Sequence, residues 1–186
     1  MEVAFSILLD TPAYNLARRY QLQISQKFHT FEAISLEPHA TIKYAFLTDN
    51  LEKIEQYFDE VAQSTKPFSI DIEGISSFEE NNVIILKIAK SEILKTLHFK
   101  VLKDLKQKFS VIPAQYEGTD FRFHITLAYK DISSDTFKQI MEFLKNEKPK
   151  LKISITKLGL WVKSEPTKQW ILYKIDNLGY PTRSNE

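Results

Sequence analysis

An α+β fold of two similar lobes around a central cleft is what this chain of 186 residues predicts, on three observations. Helical and strand periodicities alternate along it, and the order helix, strand, helix, strand, strand occurs twice. The tetrapeptide His-x-Thr-aliphatic also stands once in each half, as His39-Ala40-Thr41-Ile42 and as His124-Ile125-Thr126-Leu127.

The elements follow in order. Residues 3–9 (VAFSILL) read as a buried strand, and Thr11 before Pro12 reads as an N-cap with proline at the first helical position. Ala17, Tyr20, Ile24 and Phe28 then supply a helical stripe. A strand over about 38–46 carries the first tetrapeptide. Asp49 with Glu52 reads as a capping pair for a helix bearing Leu51, Ile54, Phe58 and Val61. Two strands follow, at about 67–74 and 82–89. The pattern then returns: a helix over about 92–109 (Leu94, Leu97, Val101, Leu105), the second motif strand over 121–130, and a helix over about 134–147 closed by Pro149. Strands at about 151–162 and 169–176 end the series.

His39 and His124 stand 85 residues apart, close to the offset of their flanking elements, so the chain reads as a duplicated unit. The expectation is a single bilobal domain over 1–181, with pseudo-repeats at about 11–89 and 91–176 and a flexible tail at 182–186. Each lobe would be an antiparallel β-sheet backed by helices, and an approximate twofold axis would set both motifs against one cleft.

Composition narrows the function classes. An apolar content of 43% with 12% aromatic residues is that of a folded globular protein. The net charge of +1 lacks the strong basic bias that long nucleic acids require, leaving small or end-bound anions as partners. The absence of cysteine removes disulfides, thiolate nucleophiles and cysteine-type zinc sites, and fits a reducing compartment. Met1-Glu2-Val3 opens no signal peptide and no run has the length of a membrane span, so a cytoplasmic monomer without a membrane or protein partner is expected.

The chemistry lies in the repeated motif. Side chains alternate along a strand, so His39 with Thr41, and His124 with Thr126, each project to one side, roughly 6–7 Å apart. A neutral imidazole takes a proton, a cationic one gives it, and a threonine hydroxyl donates to an anionic oxygen. Two such pairs facing each other would bracket a phosphodiester. By the same alternation Lys43 shares the face of His39, and Arg122 that of His124, where each would add positive charge. Tyr116, with Phe121 beyond it, offers an aromatic surface for a base or sugar. Tyr44 and Tyr129 fall at odd offsets and should pack in the core. His98, on a helix, and His29, with Thr30 at the wrong parity, are ordinary residues.

The pair HATI and HITL in matched strands resembles the two-histidine (2H) phosphoesterase superfamily, and its 2′-5′ RNA ligase-like, cyclic phosphodiesterase branch most of all. That resemblance covers nearly the whole chain in element order. It implies a phosphoric diester hydrolase with His39 and His124 as acid and base, Thr41 and Thr126 on the phosphate oxygens, and neither cofactor nor metal. The substrates it implies are RNA-type phosphodiesters, a 2′,3′-cyclic phosphate or a 2′-5′ linked oligonucleotide, on a nucleotide or RNA end. Cyclic oligonucleotide signals would suit the same groups, and a non-catalytic nucleotide- or RNA-binding module is the reading from a different class. Metal-assisted hydrolysis would call on Glu37 and Asp120, which flank the histidines but do not form a ligand spacing.

Overall fold

The computed structural model describes residues 1–165 and 167–180, and the expected tail at 182–186 lies outside them. Strand β1 (Glu2–Leu8) leads into helix α1 (Thr11–Phe28), β2 (His39–Leu47) and α2 (Leu51–Ser64). The hairpin β3 (Phe68–Phe78) and β4 (Val83–Ile88) precedes α3 (Glu92–Phe109) and β5 (His124–Ala128). Helix α4 (Ser134–Leu144), β6 (Leu151–Ile155), β7 (Lys157–Lys163) and β8 (Trp170–Asn177) follow. Among the described residues no helix is long and apolar enough to cross a membrane.

The helices start one residue away from the expected caps. Asp10, not Thr11, caps α1: one carboxylate oxygen accepts from Ala13 N at 3.0 Å, and the other reaches Ser154 N at 2.9 Å, so the cap also ties the helix to β6. Asn50 rather than Asp49 caps α2, accepting from Lys53 N at 3.0 Å. The expected strand 151–162 is two strands, β6 and β7, which run to opposite parts of the sheet.

All eight strands form one antiparallel sheet in the order β6-β3-β4-β5-β2-β1-β7-β8. It divides into two four-stranded halves that meet at β2 and β5 through a single residue pair, Ala40 with Ile125. Read outward from that pair, β2, β1 and β7 mirror β5, β4 and β3. The unit the topology repeats is therefore strand, helix, motif strand, helix, strand, over 2–78 and 83–163, with edge strand β6 inserted before the last strand of the second copy. This is one strand out of step with the expected 11–89 and 91–176. Element order alone cannot distinguish the two phases, because edge strands β6 and β8 have no fixed place in it. The halves also exchange helices: α1, which follows β1, packs on β5 and β6 of the other half, and α3, which follows β4, packs on β2.

The motif strands carry matching bulges. Across one step of β1, from Phe5 to Ser6, β2 advances from Lys43 to Thr41, so Ile42 is extra. Across one step of β4, from Ile84 to Ile85, β5 advances from Ala128 to Thr126, so Leu127 is extra. A bulge turns two successive side chains to the same side. Ile42 with Lys43, and Leu127 with Ala128, are accordingly all buried toward the helices. The bulge also leaves backbone groups without ladder partners, and buried polar side chains meet them. The Ile42 carbonyl faces His98 Nδ1 of α3 at 2.6 Å, and the Thr126 carbonyl accepts from Gln21 Nε2 of α1 at 2.9 Å. Beside the first bulge Glu117 accepts from Tyr44 N through one oxygen, and through the other from Lys43 Nζ at 2.7 Å and Ala114 N at 2.8 Å.

The side chains of Lys43 and Glu117 are 1% and 0% exposed, which makes their ion pair part of the core. Removing one member of such a pair strands the other charge. Lys43→Met is expected to cost about 3–5 kcal/mol in urea unfolding, and Lys43→Met/Glu117→Gln distinctly less than the two single changes added together.

Candidate active site

The Ala40–Ile125 pair sets the register at the centre of the sheet, which places His39 across from Thr126 and Thr41 across from His124. All four side chains line one cavity of about 460 Å³, within the range of roughly 300–1,000 Å³ usual for sites that enclose a small molecule.

Each imidazole is oriented in the same way. His39 Nδ1 lies 2.7 Å from the carbonyl of Glu37, and His124 Nδ1 lies 2.7 Å from the carbonyl of Arg122, in both cases two residues back. A carbonyl only accepts, so each Nδ1 carries the hydrogen and each Nε2 is left as the nitrogen with a lone pair. The loop before His39 is pinned from α1: Arg18 donates to the carbonyls of Ile34 at 3.0 Å and Leu36 at 3.1 Å and to the Glu37 carboxylate, which also accepts from Tyr14 Oη. An aromatic ring flanks each imidazole, Trp161 of β7 at 4.6 Å from His39 and Phe78 of β3 at 4.9 Å from His124. Burial among these groups pushes both imidazoles below their ordinary value. At His39 the Glu37 carbonyl opposes the shift and His124 adds to it; at His124 the Arg122 carbonyl opposes it and the Arg122 guanidinium adds to it.

Beyond the threonines the expected parity fails. The bulges turn Lys43 away from the cleft and bring Tyr44 and Tyr129, expected in the core, into its lining. Arg122 precedes β5, so strand alternation does not govern it; its guanidinium lies 4.2 Å above the ring of Phe78, outside the cavity lining. Tyr116 is 72% exposed and does not line the cavity either. The lining instead contains Lys130, Gln21, Ser6 and both tryptophans of the chain, Trp161 and Trp170. Trp161 Nε1 donates to Ser6 Oγ at 2.8 Å, which fixes the indole beside His39. Its signal in the sequence was faint: the only two tryptophans both lie in the last strands, on either side of one loop. Lys130 stands at an even offset from His124, but it lies beyond β5 in a left-handed turn with φ of 64°, so strand alternation does not govern its place either. Among the described residues no group of three or more His, Cys, Asp and Glu converges as a metal cage.

A family model, that of the 2′-5′ RNA ligase superfamily, matches residues 12–167, a span that includes both motif strands. The chain belongs to the 2′-5′ RNA ligase superfamily. The provisionally named phosphoesterase OB1230 of Oceanobacillus iheyensis is 28% identical over 150 residues, covering 77% of this chain and 81% of that protein. Among solved structures, TT0787 of Thermus thermophilus superposes with a TM-score of 0.67 at 14% identity, over 96% of this chain and 98% of its own. LigT of Escherichia coli, crystallised with 3′-AMP, superposes with a TM-score of 0.59 at 14% identity and the same coverage. At such identities these two structures speak for the fold, and the superfamily's fold is the one found here.

The depressed imidazoles have a consequence for stability. In the unfolded chain histidine titrates near ~6.5, so below that pH the unfolded state binds protons that folded His39 and His124 resist. Stability present above pH ~6.5 is lost as pH falls toward the folded values. The urea midpoint should drop between pH 7.5 and pH 5.5 in the natural protein, and drop less in His39→Asn/His124→Asn. His98, which burial also lowers, is common to both proteins and cancels. Equal losses in the two would refute the assignment of the shift to this pair.

Proposed function

We propose that this member of the superfamily is a metal-independent phosphodiesterase that cleaves RNA-type phosphodiesters, a 2′,3′-cyclic phosphate or a 2′-5′ linkage, by two-histidine acid–base catalysis. The observation that carries this reading is the matched pair of imidazoles, each held by Nδ1 so that Nε2 is the nitrogen available to a ligand in the shared cavity. In hydrolysis of a cyclic phosphate, the neutral imidazole takes a proton from the attacking water as the new P–O bond forms. The imidazolium gives its proton to the departing ribose oxygen as the old bond breaks. Each role is typically worth about 10² to 10⁴ in rate. Thr41 and Thr126 donate hydrogen bonds to the nonbridging oxygens, where negative charge builds in the transition state. Lys130 adds positive charge from the cavity lining.

The aromatic lining supports a nucleotide as the ligand. Trp161, Trp170, Tyr44 and Tyr129 offer ring faces beside the phosphate position, and base stacking on such a ring is worth roughly 1–3 kcal/mol. The 3′-AMP bound by LigT, a protein of the same fold, is in keeping with that size and chemistry.

The test is turnover of 2′,3′-cyclic nucleotides, a 2′-5′ linked oligoadenylate and a cyclic dinucleotide in excess EDTA. Cleavage of at least one is expected, with His39→Ala and His124→Ala each lowering kcat by at least about 10² and the threonine-to-alanine variants by less. Turnover close to that of the natural protein in either histidine variant, or loss of all activity on chelation, would overturn the mechanism. The pH profile of kcat/KM should be bell-shaped with its maximum below pH ~6.5, because burial lowers both imidazoles in the free protein. The profile of kcat should lie at higher pH, since a bound phosphodiester anion favours the imidazolium.

A further inference from the structure

We infer that Glu117 is a positioning residue of this site, clamping the loop that ends at His124 onto the bulge of the strand that carries His39. The inference rests on the two-histidine reading above for its catalytic consequence, though not for its geometry.

The backbone makes an unusual concession to place Glu117. Tyr116 takes the left-handed conformation, with φ of 69°, although it is aromatic and 72% exposed. That turn sends the next side chain inward, where the carboxylate collects three hydrogens from two segments. Ala114 N belongs to the loop itself, while Lys43 Nζ and Tyr44 N belong to β2. A carboxylate is the group that accepts at both ends, whereas a glutamine in its place would aim an NH₂ at donors. Stability alone does not account for the pair, since apolar residues of similar volume commonly serve a core as well or better.

From Glu117 the loop runs to His124 in seven residues, with a second anchor on the way. Phe121 stacks on His98 at 4.3 Å and lies 5.2 Å from Tyr44, and Phe123 meets Phe121 edge-on at 4.9 Å. Arg122 lies between these two rings, and its carbonyl is the group that holds His124 Nδ1. A loop released at Glu117 shifts that carbonyl, and the His124 imidazole is then free to place its hydrogen on either nitrogen. His39 takes its Nδ1 partner from a different loop, one pinned by Arg18 and Tyr14 and not by Glu117.

The experiment is imidazole ¹⁵N–¹H correlation spectroscopy at pH 8 on the full chain and on Lys43→Met/Glu117→Gln, which leaves no unpaired charge in the core. In the natural protein both imidazoles should carry hydrogen on Nδ1. In the variant His124 alone should become a mixture of tautomers, and kcat on the cleaved substrate should fall by about ten- to a hundredfold. Glu117→Asp, which keeps a carboxylate for Lys43 but shortens its reach, should move His124 in the same direction and guards against failure of the double variant to fold. An unchanged His124 spectrum in a folded variant would overturn the inference, leaving Glu117 as core structure only. The spectra need no substrate, so a panel that is not cleaved tests the proposed function and leaves this readout standing.

Discussion

The pairing of Ala40 with Ile125 is the contact on which the arrangement depends, because it is where the two halves of the sheet hydrogen-bond. One antiparallel pair fixes the register of both strands, and with side chains alternating across the sheet it brings two histidines and two threonines to the same face. A shift of one residue in either strand would turn that strand's pair into the helix layer. The crossing helices guard against such a slip: α1 lies on β5 and α3 on β2, so separating the halves would expose apolar surface on both. Each helix also reaches toward the far motif. From α1, Arg18 pins the loop before His39 while Gln21 meets the Thr126 carbonyl. From α3, His98 meets the Ile42 carbonyl and stacks on the loop before His124.

The bulges explain why the core contains His98, Gln21, Lys43 and Glu117. A bulge interrupts the ladder, and a buried backbone group left without a partner costs roughly 1–3 kcal/mol. Side chains from the covering helices and from one loop supply the partners. In return the bulges turn Tyr44 and Tyr129 into the cleft, and the helix-facing positions go to Lys43 and Ala128. The two halves solve the same backbone problem with different residues, which leaves an ion pair behind β2 and an uncharged amide, Gln21, behind β5.

Much of this was legible in the sequence, up to a definable point. Periodicity locates the four α-helices and all but one of the strands among the described residues, and the repeated tetrapeptide picks out the four polar side chains that line the cavity, because two residues of a strand suffice to fix a face. The reading failed one residue further on. Nothing in Thr41-Ile42-Lys43 announces an extra residue, since bulging depends on the facing strand and on donors from distant helices. Alternation carried past it therefore exchanged the places of Lys43 and Tyr44. Strand geometry does not reach Arg122, which lies outside the strand, and nothing in the sequence marks Glu117, because a glutamate in a Gly-containing loop ordinarily faces solvent. The phase of the repeat was hidden for a related reason: which strand pairs with which is a property of the sheet, and the order of elements does not encode it.

Turning Lys43 inward also changes the electrostatics of the cavity. With that ammonium engaged by Glu117, the lining keeps Lys130 as its lysine, and Arg122 stands outside against Phe78. Two imidazoles held low by burial add little charge of their own in the unliganded chain. A phosphodiester bound as proposed would add a negative charge beside the rings, and that anion would favour the imidazolium that the proposed reaction needs. One proton is enough, because the second imidazole must remain neutral to act as the base, and each cationic ring disfavours protonation of the other. A permanent cation at Lys43's expected position would bind the anion more tightly and oppose that proton uptake. The bulge thus separates two roles that the sequence places side by side: a lysine that secures the backbone, and histidines that, in the proposed reaction, change charge with the ligand.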